Sequence, residues 1–366
     1  MKTKLSHSAV SKYQDCPTAY RYHYIEGYRS KTKSGALFFG TAIDKAMEEL
    51  LITGQGGVET FEANWLEQEH NGRKLYLPLS TEIVYAESDY DEDLMLPEDW
   101  QSISNMLDLP EGFDIKEKLA SIYKQKKAIG FDLLSKDNKT LLNLANWKCL
   151  RRKGLVMIEA LKQEVLPNIE QVLGTQEKVE LVNELGDSVV GYVDIVAKLK
   201  GHDEPVILDL KTSTRMYEED SVLTSPQLSL YVWGLHDKYK TSKAGYVVLL
   251  KSISKNKLKL CKSCGNDGSS GSHKTCNATG PDGKRCHGEF NITINPKASV
   301  QIIIDSIPER VQNMVVENFN EVNHAIKSGT FTKNLQSCIK PYGKCAFYNI
   351  CWKGTEEGLV KSETSR

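Results

Sequence analysis

Two short strings carry most of the chemistry. Gly191 to Val196 reads GYVDIV and Ile207 to Ser213 reads ILDLKTS, which sets Asp194 and Asp209 fifteen residues apart. If these strings are adjacent antiparallel strands, the two carboxylates project from neighbouring backbones into one pocket. Lys211 stands two residues beyond Asp209 and, by the period of a strand, shares its face. Paired carboxylates can hold a hard divalent cation such as Mg²⁺ or Mn²⁺, and a lysine beside them can orient or help deprotonate an attacking water. That grouping suits phosphodiester hydrolysis. The plainer reading is an Asp and Lys ion-pair pattern on a surface strand; it must account for charge in the middle of two apolar runs, where an unpaired charge is costly.

The nine cysteines are the second chemical signal, at positions 16, 149, 261, 264, 276, 286, 338, 345 and 351. The opening MKTKLSHSAV lacks the apolar stretch of a secretory signal, so an intracellular chain is expected, and in such a chain clustering of this kind points to metal more than to disulfides; four thiolates suit zinc or an iron–sulfur cluster. Cys261-x2-Cys264, Cys276 and Cys286 lie in a Gly/Ser-rich, basic stretch with too few large apolar residues for a core of its own. Such a segment needs a staple, and zinc held in a ribbon by these four thiolates is the expectation. His273 or His287 in place of a cysteine stays open, as does a plain loop with incidental cysteines. Cys149, by elimination, is expected to be a packed core thiol.

Elements must position these groups. Leu5 to Tyr24 reads as two short helices broken at Cys16-Pro17, with Ser6 or Ser8 as N-cap. Ala36 to Thr53 has apolar residues at helical spacing and carries Asp44. Lys116 to Leu173 reads as about two long helices. The period then changes to two, and Glu177–Glu184, Val189–Leu199 and Pro205–Thr212 are expected as a three-stranded meander turning at Gly186-Asp187 and Gly201-His202. A helix over Ser221–Tyr239, a strand over Lys243–Ser252 and a long amphipathic helix over Pro296–Lys327 follow. The order describes a mixed α/β core.

The chain has 366 residues, 40% hydrophobic and 26% charged, with 47 basic against 48 acidic side chains. It has room for a sizeable core and is neither disordered nor a strongly basic body that coats DNA without specificity. The near-zero net charge hides segregation. Residues 82–115 hold eleven acidic and no basic side chains, residues 1–33 seven basic and two acidic, and residues 251–286 eight basic and two acidic. The acidic run, punctuated by Pro97, Pro110 and Gly112, reads as a loop-rich insertion or lid. No apolar run approaches the ~20 residues of a membrane span, so no membrane partner and a cytoplasmic location are expected, the host cytoplasm if the chain is phage-encoded.

Taken in order, these motifs resemble the PD-(D/E)XK nuclease superfamily, and within it the RecB/AddB-like branch that includes CRISPR-adaptation and phage exonucleases. SAVSKYQDCPTAYRYHY is similar to that branch's opening helix with Cys-Pro and aromatics. FGTAIDKAMEELL is similar to its Gly-led helix, and QLSLY to its helix with Gln-x3-Tyr. The resemblance implies a restriction-endonuclease-like core and a metal-dependent DNA nuclease, an exonuclease on single strands or ends in recombination, repair or phage DNA processing. A helicase or recombination partner belongs with that reading; the alternatives are a non-catalytic DNA-binding or assembly subunit, or an RNA-directed nuclease.

Residue by residue, the resemblance makes Asp194 and Asp209 metal ligands, Lys211 the catalytic lysine, and Gln227 and Tyr231 active-site supports. Asp44 stands where the pattern usually has a histidine ligand, and Glu177 matches an acidic position at the head of the first strand. Cys16, Cys338, Cys345 and Cys351 are similar to the ligands of a [4Fe–4S] cluster joining the N-terminal helix to the C-terminal segment. The implied organisation is a helical region over 1–173 with the acidic insertion at about 82–115, a nuclease core over 174–255 and a zinc-ribbon-like insert over 256–290. A C-terminal helix with the iron–sulfur segment covers 291–353, and a tail covers 354–366.

Overall fold

The computed structural model describes residues 4–269, 273–280, 283–340 and 343–362; parts of the expected insert and the last residues of the expected tail lie outside the described residues. The architecture is mixed α/β. Its centre is a six-stranded sheet built from β1 (Lys4–Ser6), β2 (Ile169–Val182), β3 (Ser188–Leu199), β4 (Val206–Ser213), β5 (Lys243–Leu250) and β8 (Val300–Ser306). The hairpin β6 (Ser254–Cys261) and β7 (Phe290–Lys297) stands apart from it.

β2, β3 and β4 form the expected antiparallel meander. β5 pairs parallel to β4 and β8 antiparallel to β5. Along one edge of β3, the parallel β1 covers Ser188–Val190 and β4 covers Ile195–Ala197, which leaves 191–194 open between them.

Apolar side chains close both faces. On one, α2 (Gly35–Thr53), α3 (Val58–Leu66), α5 (Ile115–Ile129) and α6 (Lys136–Ala160) pack onto Ile195, Ala197, Leu208, Leu210 and Val247. α2 shows why it folds: Phe39, Ile43, Ala46, Met47 and Leu50 recur at helical spacing and are buried. Ser34 caps its first turn, and Gly54, at φ 71°, supplies the left-handed stop. Each large side chain removed from water there contributes about 1.5–3 kcal/mol. Trp65 and Trp147 lock α3 to α6, each indole N–H donating to the other's carbonyl at 3.1 and 2.7 Å. On the other face α1 (His7–Asp15), α7 (Pro226–Tyr239) and α8 (Glu309–Lys327) cover Val189, Val193, Val196, Ile207 and Val248.

Four expectations change. The helix expected over Pro296–Lys327 begins only at Glu309, because VQIIIDS is β-branched and completes the open edge of β5 as β8. β2 starts at Ile169, eight residues before Glu177 and inside the stretch assigned to helix. The acidic run is no loose lid: it contains α4 (Pro97–Met106), buries Asp89 and Asp99, and packs on α6, where Arg152 Nε meets Asp99 at 2.9 Å. In the expected tail, Leu359–Lys361 pairs antiparallel with Tyr28–Ser30.

The turn between β2 and β3 is pinned to α8 by buried Asp187, which accepts from Asn323 Nδ2 at 2.7 Å and Lys327 Nζ at 2.5 Å. Asp187→Ala removes a shared acceptor, and because Lys327 is partly exposed its charge can return to water. The expected loss is about 1–3 kcal/mol, read as a lower urea midpoint at unchanged slope.

Candidate active site

β3 and β4 pair for only three steps, ending at Ile195 with Leu208. Beyond that they part: β4 stays registered with β5 from Ile207 to Ser213, while its edge toward β3 is left unpaired. Asp194 and Asp209 are the first residues past the fork. The backbone N–H of Leu210, turned toward the gap, donates to Asp194 Oδ2 at 2.8 Å. A carboxylate thus replaces the missing strand partner, as a buried peptide donor requires.

Asp209 is 2% exposed and forms an ion pair with Lys211. α7 supplies the next groups. Ser225 caps the helix and Pro226 fills its first position, which aims Gln227 and Tyr231, one turn apart, at the fork. Gln227 Nε2 lies 3.0 Å from Asp209 Oδ1 and 2.7 Å from the Tyr231 hydroxyl, while its Oε1 faces Lys211 Nζ at 3.4 Å. The Tyr231 ring presses on Gly191, where a Cβ would stand 2.6 Å from Tyr231 Cε1. Glycine in GYVDIV is a packing requirement.

Burial pushes the carboxyls of Asp209 and Asp194 up, against the pull of Lys211 on both and of the Leu210 N–H on Asp194. For Lys211, burial works to lower the pKa, but Asp209 and Asp194 together outweigh it and the ammonium is held charged. Asp44, on α2, is open to water at its surface yet looks across at the same groups. Surrounding protein and then the charge of Asp194 push its carboxyl up to about 7. Asp194 and Asp209 bring to the fork oxygen donors of the kind a divalent cation takes, but among the described residues no three carboxylates stand close enough to share one ion.

Glu177 is not brought to the fork. Lys238 and Tyr239, at the far end of α7, hold its carboxylate, with Lys238 Nζ at 2.7 and 2.8 Å. The neighbouring Gln176, in a left-handed conformation at φ 50°, interacts with Asp194 instead. Three residues near the site went unread in the sequence: Gln176, Glu48 and His7. Glu48 raises the Asp194 pKa from one turn beyond Asp44, and that i, i+4 spacing is the signal by which the sequence could have shown it. His7 Nε2 is buried without a hydrogen-bond partner among the described residues; burial and then Lys211 lower its pKa. It borders a cavity of about 490 Å³ beside Tyr217, Gln227 and Tyr246.

The two cysteine sets differ in spacing. Cys16, Cys338, Cys345 and Cys351 line one cavity with Leu335, Phe347 and Trp352, and Trp352 Nε1 donates to Cys338 Sγ at 3.4 Å. The sulfurs of Cys261, Cys264, Cys276 and Cys286 all lie within 4.8 Å of one another, close enough to share one ion, and neither His273 nor His287 joins them. Cys149 is buried on α6, where it accepts from the Asp91 N–H at 3.1 Å.

A family model of the PD-(D/E)XK nuclease superfamily matches residues 4–102 and 131–351. The solved structure of SSO0001 is similar to the chain at 11% sequence identity, over 62% of this chain and 83% of that one, with a TM-score of 0.22. No curated protein gives a significant match.

Gly191→Ala places a methyl group inside the Tyr231 ring and is expected to destabilise by about 1–3 kcal/mol through overpacking. The same change in a Tyr231→Ala background should have little effect. Chemical denaturation of the four-member mutant cycle measures that coupling.

Proposed function

The chain belongs to the PD-(D/E)XK nuclease superfamily, and from that premise we propose a metal-dependent DNA exonuclease of the RecB/AddB-like branch, acting on single strands or ends. Members of the superfamily use divalent metals. The observation that carries the reading is the fork itself: Asp194, Asp209 and Lys211 converge where two strands separate, with Gln227 tying Asp209 to α7.

Asp194 and Asp209 are the ligands we assign to the cation, with Asp44 as a third oxygen donor. A carboxylate at position 44, where the resembling sequences have imidazole, favours Mg²⁺ over softer ions. When bound, the cation supplies Lewis acidity toward the phosphate and activates water. Lys211, kept protonated by its carboxylate neighbours, presents an ammonium to the charge that grows on the phosphoryl oxygens. Gln227 fixes the Asp209 carboxylate and lends its own carbonyl to Lys211, so the lysine is directed before substrate arrives. Tyr231 holds Gln227 in turn.

Cys16, Cys338, Cys345 and Cys351 are the thiolates we assign to a [4Fe–4S] cluster. The donor set suits iron–sulfur, and a shared cavity walled by Leu335, Phe347 and Trp352 supports it. Such a centre fastens the opening helices to the C-terminal segment.

Asp209→Ala and Lys211→Ala are each expected to lower cleavage of end-labelled single-stranded DNA in Mg²⁺ by at least about 10²-fold, the scale of losing one preorganised electrostatic group. EDTA should abolish cleavage by the unaltered protein. Wild-type rates in either variant would remove this site, cleavage of RNA alone would redirect the substrate, and tight binding without cleavage would favour an assembly subunit.

Anaerobically purified protein is expected to be brown with about four irons per chain, and Cys338→Ser to lose the colour. A folded, iron-free wild type after anaerobic reconstitution would defeat the cluster assignment.

A further inference from the structure

The segment between β6 and β7 is held in a defined shape with almost nothing apolar inside it. Among the described residues, none from 254 to 297 belongs to any of the three apolar clusters. Yet Cys261 and Cys276 are only 3% and 1% exposed. Close to them lie folded backbone, the small side chain of Ser263 and the other two sulfurs.

The backbone is folded around the thiols. On the first limb, CKSCG turns back on itself, with the Gly265 N–H donating to the Cys261 carbonyl and the Cys261 N–H to the Asn266 carbonyl, both at 2.9 Å. On the second, Cys276 N–H bonds to the Gly288 carbonyl at 2.9 Å and Cys286 N–H to the Ala278 carbonyl at 2.8 Å. Gly288 N–H lies 3.5 Å from Cys286 Sγ. A Cβ on Gly288 would stand 2.8 Å from Cys261 Sγ, so the second limb closes directly over the sulfur of the first.

The sulfur spacing distinguishes the possible staples. Cys261 to Cys286 and Cys264 to Cys276 are each 3.6 Å. A disulfide needs about 2.0 Å, and neither pair is near it. Four thiolates around one zinc at about 2.3 Å form a tetrahedron with edges of about 3.8 Å. A [4Fe–4S] cube bonds each thiolate to a separate iron and spreads the sulfurs farther.

We infer that Cys261, Cys264, Cys276 and Cys286 bind one zinc ion that folds the tip of the β6–β7 hairpin. Four protein ligands fill the coordination sphere, so the ion is structural and takes no part in phosphodiester chemistry. Zn²⁺ with four thiolates keeps a net negative charge, and the segment that would carry it is rich in basic residues, among them Lys262, Lys274 and Arg285.

The test is metal content of the full chain, and it does not depend on cleavage. Elemental analysis of protein purified from zinc-supplemented medium should give about one zinc per chain, as a single four-thiolate site requires. The quadruple Cys→Ser variant at 261, 264, 276 and 286 should bind none while keeping the iron content of its parent. Cobalt replacing zinc should give the visible absorption of a tetrahedral tetrathiolate in the parent and not in the variant. Should the quadruple variant fail to fold, titration of the parent's thiols decides: four cysteines should become reactive in step with zinc release to a chelator. Zinc-free folded parent protein, zinc retained by the variant, or iron in place of zinc at these four thiols would each overturn the assignment.

Discussion

The separation of β3 from β4 is the constraint on which the rest depends. β4 keeps its full register with β5 along one edge, while β3 leaves its other edge beyond Leu208. The Leu210 N–H is thereby turned into a gap and must find an acceptor, and Asp194 is the acceptor. The same gap admits the Tyr231 ring over Gly191 and lets Gln227 reach Asp209. Charge sits in the middle of two apolar strands because the sheet is open there.

Much of this was legible in the chain. GYVDIV and ILDLKTS interrupt apolar runs with charge, which burial forbids without a reason, and QLSLY puts Gln227 and Tyr231 one turn apart. Other features left little trace. Gln176 lies opposite Asp194 in the register of β2 with β3, a pairing that requires the register to be known, and its left-handed backbone leaves no trace in the alternation of β2. VQIIIDS runs directly toward a helix and fits either period; the open edge of β5, some fifty residues earlier, decides it. The acidic run looked solvated because charge density was its strongest signal. In the fold, Asp89 and Asp99 reach back to the backbone N–H groups of Ala86 and Leu96 at 2.9 and 3.0 Å, so two of those charges act as local caps.

Segments distant in sequence meet around the opening helices. Thr18 N–H bonds to the Thr332 carbonyl at 3.1 Å, and Ser337 Oγ reaches the Asp15 carbonyl at 2.9 Å. Tyr28–Ser30 takes Leu359–Lys361 as a strand partner. The helix that carries His7 to the edge of the fork is therefore anchored at its other end by residues more than three hundred positions away.

The strand order also sets a schedule for synthesis. β5 offers the edge Gly-Tyr-Val-Val-Leu-Leu, and its partner β8 lies on the far side of the hairpin, beginning at Val300. At roughly 5–20 residues per second, the ribosome takes roughly 3–10 s to deliver it. Throughout that interval a bare apolar strand edge is available to any nascent chain nearby, and such edges template aggregation. The hairpin inserted between β5 and β8 lengthens the exposure, which makes chaperone supply and elongation rate determinants of the yield of folded protein.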